Sequence, residues 1–299
     1  AQLESKGPNE GIMAFVETMT PVLVYGCIWN VTYWLVHLAS LELFPWYKSM
    51  TPVRVAYYSK KLRLAKKSGI TAEKEARIAT EYFQNFFTTS ILSSLHGIVL
   101  AFLLVPFTWT NFGFLLEAKI GSTTDSPAVS MANHLFTSYV CNDFLFVLPY
   151  AVKYGVQDDV MFLAHHVTLV ITWTSFLTGS WGHLFAVPTM LTEVTAPFVF
   201  MRWLLNEFKI GGAPFIANGL LLLFAWYFFR IAGYVFFLSI RLFELRGELL
   251  DPAMAARNLP VLAFHLLGCF LQLYWGKLLT LGALRTISPA KKKTEKEAS

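Results

Sequence analysis

Two histidines stand side by side, His165 and His166, in the otherwise apolar stretch FLAHHVTLVITW at residues 162–173. An imidazole can act as a general base when a carboxylate holds its orientation and raises its basicity. Asp143, in YVCNDFLF, supplies a carboxylate. Glu193 in LTEVTAPF and Arg230 in WYFFRIAG also interrupt apolar runs. Ionisable groups at such positions mark a functional site by default.

Helical phase sorts these residues. His165, Thr168, Thr172 and Ser175 fall on one stripe, and His166 lies about 100° away. The phase predicts that His165 faces the interior and pairs with Asp143, while His166 meets a neighbouring helix or the edge of the same cavity. His134, Ser138 and Asn142 form a second polar stripe, with Asp143 beside it. The expected catalytic set is therefore His165, His166 and Asp143. The expected lipid-binding or cavity set is Asn142, Thr168, Thr172, Glu193 and Arg230. Glu193 and Arg230 read first as a structural pair within the membrane. Adjacent histidines cannot converge as i, i+4 metal ligands do, and no third ligand is suitably spaced, so no metal is expected. His96, His183 and His265 stand alone and read as satisfied packing or interfacial residues.

The elements that position these groups follow from composition. The chain has 299 residues, of which 55% are hydrophobic and 14% charged. Soluble domains carry about 25% charged residues. The deficit extends along most of the chain, which implies an integral membrane protein. Twenty-seven Phe, twelve Tyr and nine Trp fit helix interfaces and interfacial belts. Cys27, Cys141 and Cys269 lie in apolar runs, with no CxxC pair and no disulfide framework. The polar opening AQLESKGPNE lacks a cleavable signal pattern.

A crossing helix needs roughly 20 apolar residues. Seven runs qualify: about 14–41, 84–109, 131–151, 160–178, 183–205, 214–241 and 259–284. The expected fold is all-α, a polytopic bundle of about seven transmembrane helices enclosing a polar, lipid-accessible cavity. Pro21, Asn30 and His37 interrupt the first run, while Pro188 and Pro197 flank Glu193 and free backbone carbonyls. Residues 1–83 form the first span and a basic connector, 84–284 a six-helix bundle, and 285–299 a basic tail.

The net charge of +5 sits mainly in the connector and tail. Its position beside apolar spans favours orientation and contact with anionic lipid, not nucleic acid. The connector and tail are expected on the cytosolic side, so the C-terminus is cytosolic and the N-terminus lies opposite. Thr71 is a plausible N-cap, followed by Glu73 and Glu75 in the first turn. The preceding VRVAYYSKKLRLAKK reads either as an interfacial element or as an ordinary topology-setting loop.

Four segments in order resemble the TLC family, which includes ceramide synthases and translocon-associated proteins. They are SSLHGIVLAF at 93–102, YVCNDFLF at 139–146, AHHVTLVITW at 164–173 and LTEVTAPFVFMRWLL at 191–205. The last looks most like the branch of TLC-domain-containing transmembrane proteins. The resemblance covers about residues 84–284. It implies a helical bundle around a lipid-accessible cavity, in the endoplasmic reticulum or a related membrane. It also implies that His165 and His166 hold the position of the paired histidines that serve acyl transfer in ceramide synthases. Those enzymes continue with a Ser-Tyr pair and an Arg, then a His-Asp and a further Asp. This chain instead reads TSFLTGSWG and then Glu193.

Three functions are consistent with these features. The first is binding or sensing of membrane lipid and a part in lipid homeostasis, with no cofactor. The second is acyl transfer with acyl-CoA as donor. The third is a non-catalytic subunit of a larger membrane complex, with partner chains.

Overall fold

The computed structural model describes residues 8–62, 64, 70–154, 165–170, 182–253 and 255–287. The described residues are overwhelmingly helical and contain no strand. The principal helices are α1 (Pro8–Leu43), α2 (Ala72–Thr110), α3 (Pro127–Tyr154) and α4 (165–170). They continue with α5 (Gly182–Glu207), α6 (Ala213–Glu244) and α7 (Ala255–Ile287).

Among the described residues, five helical segments are long and apolar enough to cross a membrane. They are Phe15–Leu43, Ala72–Thr110, Gly182–Glu207, Ala213–Glu244 and Asn258–Arg285. The expected span at 131–151 lies within α3, which is not among the five. Asn133, His134, Thr137, Ser138, Asn142 and Asp143 dilute its apolar character. Most of the expected span at 160–178 falls outside the described residues.

The interruptions in the first run do not break it: α1 continues through Pro21, Asn30 and His37. His37 is satisfied locally, with Nδ1 2.7 Å from the Tyr47 hydroxyl. That hydroxyl also meets Thr88 Oγ1 at 2.8 Å and donates to the Gln84 carbonyl at 3.1 Å. Burial pushes the Tyr47 hydroxyl up to about 12 despite the opposing pull of Thr88, so it remains a donor at physiological pH.

The start of α2 follows its capping signal. The Thr71 side chain accepts from the Lys74 backbone N–H at 3.3 Å, with Glu73 and Glu75 in the first turn. The connector before it contains a helix, Pro52–Lys61, that packs on α2. Tyr47, Tyr58 and Leu62 bury against Ile78, Tyr82 and Phe83. Arg54 fixes this layer to the end of α5, with Nε 2.8 Å from Glu207 Oε1. Its guanidinium also lies over the rings of Trp46, Phe83 and Phe208.

Lipid tails are as apolar as leucine, so tight packing between small residues must supply much of the helix association. Gly97 on α2 shows this directly. A Cβ there would lie 2.3 Å from the Glu193 carbonyl oxygen of α5. Gly182 opens α5 with φ +53°, and its amide-bearing neighbour His183 donates to the Ser122 carbonyl at 2.7 Å. The Thr124 N–H in turn donates to His183 Nδ1 at 2.8 Å, so His183 is satisfied as expected.

The replacement Gly97→Ala is expected to force α2 and α5 apart and to destabilise the bundle by about 1–3 kcal/mol. Thermal unfolding in mild detergent measures this. An unchanged midpoint would show that the two helices are not held in close apposition.

Candidate functional site

The site begins with two local departures from α geometry. Pro197 has no N–H to donate to the Glu193 carbonyl, and residues Thr192–Thr195 tighten into a 3₁₀ turn. The Ala196 N–H donates to the Glu193 carbonyl instead. On α6, residues Trp226–Phe237 are wound as a π-helix. Together these segments face Arg230 toward the 3₁₀ turn.

Arg230 is deeply buried, and its partners account for that position. Its Nε donates to the Thr192 carbonyl at 3.0 Å and to Thr195 Oγ1 at 2.8 Å. Nη1 donates to Gln272 Oε1 of α7 at 2.9 Å. The guanidinium carbon is 4.4 Å from the centre of the Trp226 ring. The expected partner Glu193 is present, with Oε1 3.9 Å from Nη2. This contact is longer than the bonds to neutral oxygens. The carboxylate therefore balances the charge, while the neutral acceptors fix the guanidinium's position.

Opposite them lies the imidazole–carboxylate pair. His166 Nε2 is 2.7 Å from Asp143 Oδ2, with both side chains less than one-tenth exposed. His166 is thus the observed partner of Asp143, where helical phase assigned His165. The two rings diverge, with centroids 5.5 Å apart and planes at 88°. The rotation of α4 about its axis turns His166 toward α3. His165 points toward α7 and meets the Trp275 ring edge-on at 5.8 Å.

These groups border a pocket of about 340 Å³. Asp143, His165, His166, Glu193 and Arg230 all line it. A second, smaller cavity of about 50 Å³ shares His165, Leu169 and Glu193 as a common wall. Thr168 lines only this second cavity. Asn142 is buried but does not border either cavity, because Asp143 occupies the facing position. Thr172 lies outside the described residues.

Other pocket residues were absent from the sequence-based set. Asn85, Thr89, Ser90 and Ser93 of α2 line it, as does Tyr139. Tyr139 is bonded to Ser93 and lies one helical turn before Asp143. That one-turn spacing could have identified Tyr139. The hydroxyl residues gave no comparable signal, since serine and threonine in helices commonly bond their own backbone. Thr89 and Ser90 do so here, donating to the Asn85 and Phe86 carbonyls at 3.0 and 2.7 Å.

His96 is a packing residue, as expected, but it is satisfied by rings and not by hydrogen bonds. Among the described residues, neither ring nitrogen has a hydrogen-bond partner, and the ring contacts are aromatic. It stacks on Tyr139 with centroids 4.1 Å apart and also touches Trp29 and Phe136. The ring therefore supports Tyr139 by packing. Among the described residues, no three His, Cys, Asp or Glu side chains converge to hold a metal ion.

Arg230→Leu removes the guanidinium donors and leaves the Glu193 carboxylate without its counter-charge. The expected loss of stability is about 3–5 kcal/mol. Adding Glu193→Leu should recover part of it, and unfolding of the single and double variants measures the coupling. Equal effects of the single and double variants would mean that the carboxylate does not depend on Arg230.

A family model described as the TLC domain matches residues 86–280. No curated protein and no solved structure matches the chain.

Proposed function

This chain belongs to the TLC-domain family, and we propose that its pocket binds a membrane lipid, with a role in lipid sensing or homeostasis. The observation that carries this reading is the meeting of two kinds of lining. The polar cluster of Asp143, His165, His166, Glu193 and Arg230 shares one pocket with Tyr82, Phe86, Phe200 and Trp203. Ligand pockets span roughly 300–1,000 Å³ and combine apolar walls with a few convergent polar groups. An amphiphile satisfies both parts, placing hydrogen-bonding atoms at the cluster and hydrocarbon against the rings.

The proposed architecture is a seven-span bundle, with α3 and the segment around α4 supplying two crossings. Nine Lys and Arg residues in 42–83, together with the basic tail, orient the connector and C-terminus toward the cytosol. The pocket then opens toward the cytosolic leaflet. Lys61 Nζ lies 5.6 and 5.4 Å from the ring centres of Tyr82 and Phe86, where it attracts an anionic head group. The endoplasmic reticulum or a related organelle membrane is the proposed location.

A second reading is supported by the 2.7 Å contact of His166 with Asp143. A carboxylate-held imidazole suits general-base removal of a proton from an amine or hydroxyl as it attacks an acyl-CoA thioester. Under this reading, purified protein converts labelled acyl-CoA and an acceptor to product, and His166→Ala abolishes turnover. No turnover by the wild type would eliminate it.

Lipid binding is tested by native mass spectrometry of detergent-purified protein. Ala196→Phe fills the pocket without altering an ionisable group. It is expected to lower lipid occupancy about tenfold, equivalent to about 1.4 kcal/mol. Identical lipid adducts on both proteins would refute binding at this site. Stoichiometric partner chains would instead identify the protein as a subunit of a membrane complex.

A further inference from the structure

A second cluster of reactive side chains lies where α6 meets α7, apart from the Asp143–His166 pair. The Cys269 thiol is 3.3 Å from His265 Nε2. The same nitrogen is 2.9 Å from Ser239 Oγ of α6. The Tyr234 ring lies 5.2 Å from the imidazole, and its hydroxyl sits against Gly268, where a Cβ would approach within 2.2 Å. One turn of α7 thus carries a nucleophile and a base, and the facing part of α6 adds two hydroxyl groups.

Access differs across the cluster. His265 is almost wholly buried, and its imidazole borders the 50 Å³ cavity. Cys269 is only partly buried, and the adjacent Leu266, Phe270 and Leu273 are exposed on the surface of α7. The thiol therefore stands between an internal base and an apolar surface. A reagent reaching it from that side would be apolar and electrophilic. A small free cavity beside the imidazole gives room for the polar end of such a molecule.

We propose that Cys269 is a modification site for membrane-borne α,β-unsaturated aldehydes, with His265 as its proton acceptor and donor. The sulfur forms a bond to the β-carbon of the alkenal while the thiol proton passes to His265 Nε2. The carbon–carbon π pair moves to form an enolate, whose oxygen can accept from Ser239 or Tyr234. The imidazolium then returns the proton to the α-carbon. The net step is an addition, with no leaving group and no oxidation. Moving the proton within the cluster avoids leaving a bare thiolate in a low-dielectric setting, where an isolated charge is costly.

This proposal is independent of lipid binding in the larger pocket. Cys27 supplies an internal control, because it is exposed on α1 and has greater access to the same medium. The full chain in liposomes is treated with an alkyne-tagged medium-chain 2-alkenal, and adducts are followed at each cysteine by tandem mass spectrometry. Cys269 is expected to react at least roughly tenfold faster than Cys27, a modest gain for general-base assistance. His265→Asn should reduce the Cys269 rate to that of Cys27 while leaving the Cys27 rate unchanged. Equal or faster modification of Cys27 in the wild type overturns the proposal without any variant. An undiminished Cys269 rate in folded His265→Asn protein does so as well.

Discussion

A guanidinium placed among apolar helices must obtain all its hydrogen bonds from protein, and Arg230 imposes that requirement on three helices at once. Its partners are backbone and hydroxyl oxygens of the 3₁₀ turn in α5, an amide oxygen on α7 and an aromatic face on its own helix. None of these alone compensates the several kcal/mol needed to remove an ion from water. Their combination, with the more distant Glu193 carboxylate, does. The 3₁₀ turn is therefore part of the solution: tightening the chain around Pro197 presents Thr192 and Thr195 to the guanidinium. Close contact of that turn with Gly97 ties α2 into the same assembly.

The pocket arises because the two sides of the site are satisfied separately. Arg230 is anchored on α5 and α7, and Asp143 is held by His166 from α4. Neither set needs to cross the intervening space, so the helices there remain apart. Tyr139 adds a hydroxyl between them and is held by Ser93 on one side and by the stacked His96 ring on the other. The connector layer contributes at the far end, where Tyr82 and Phe83 are packed beneath the short helix Pro52–Lys61.

Much of this arrangement was legible in the residues, for identifiable reasons. Long apolar runs dictate helices, and the Thr71 cap with its acidic first turn marks the beginning of α2. The pairing of Glu193 with Arg230 followed from two opposite charges too costly to leave alone. The choice between His165 and His166 was less accessible. Sequence spacing sets the angle between adjacent side chains, but the rotation of the whole helix depends on neighbours such as Trp275 and Asp143. The satisfaction of isolated histidines was similarly hidden. His183 finds the Thr124 amide through a loop, whereas His96 is packed by rings contributed from α1 and α3. Such partners lie far apart along the chain and leave no local periodicity.

The π-wound stretch of α6 also bears on how the chain tolerates changes in length. In a π-helix the backbone bonds span five residues, so each turn holds more residues than an α-helical turn and the side-chain phase advances more slowly. The buried residues of this stretch, Trp226, Arg230, Ile231, Tyr234 and Val235, recur every four to five residues. Deleting one residue here would let the backbone revert to ordinary winding and would re-phase everything beyond it. Leu238, Ser239 and Leu242 would rotate relative to α7 although none of them had been altered. In this span a missing residue is therefore more disruptive than a conservative exchange, and residue number is itself a determinant of which side chains meet.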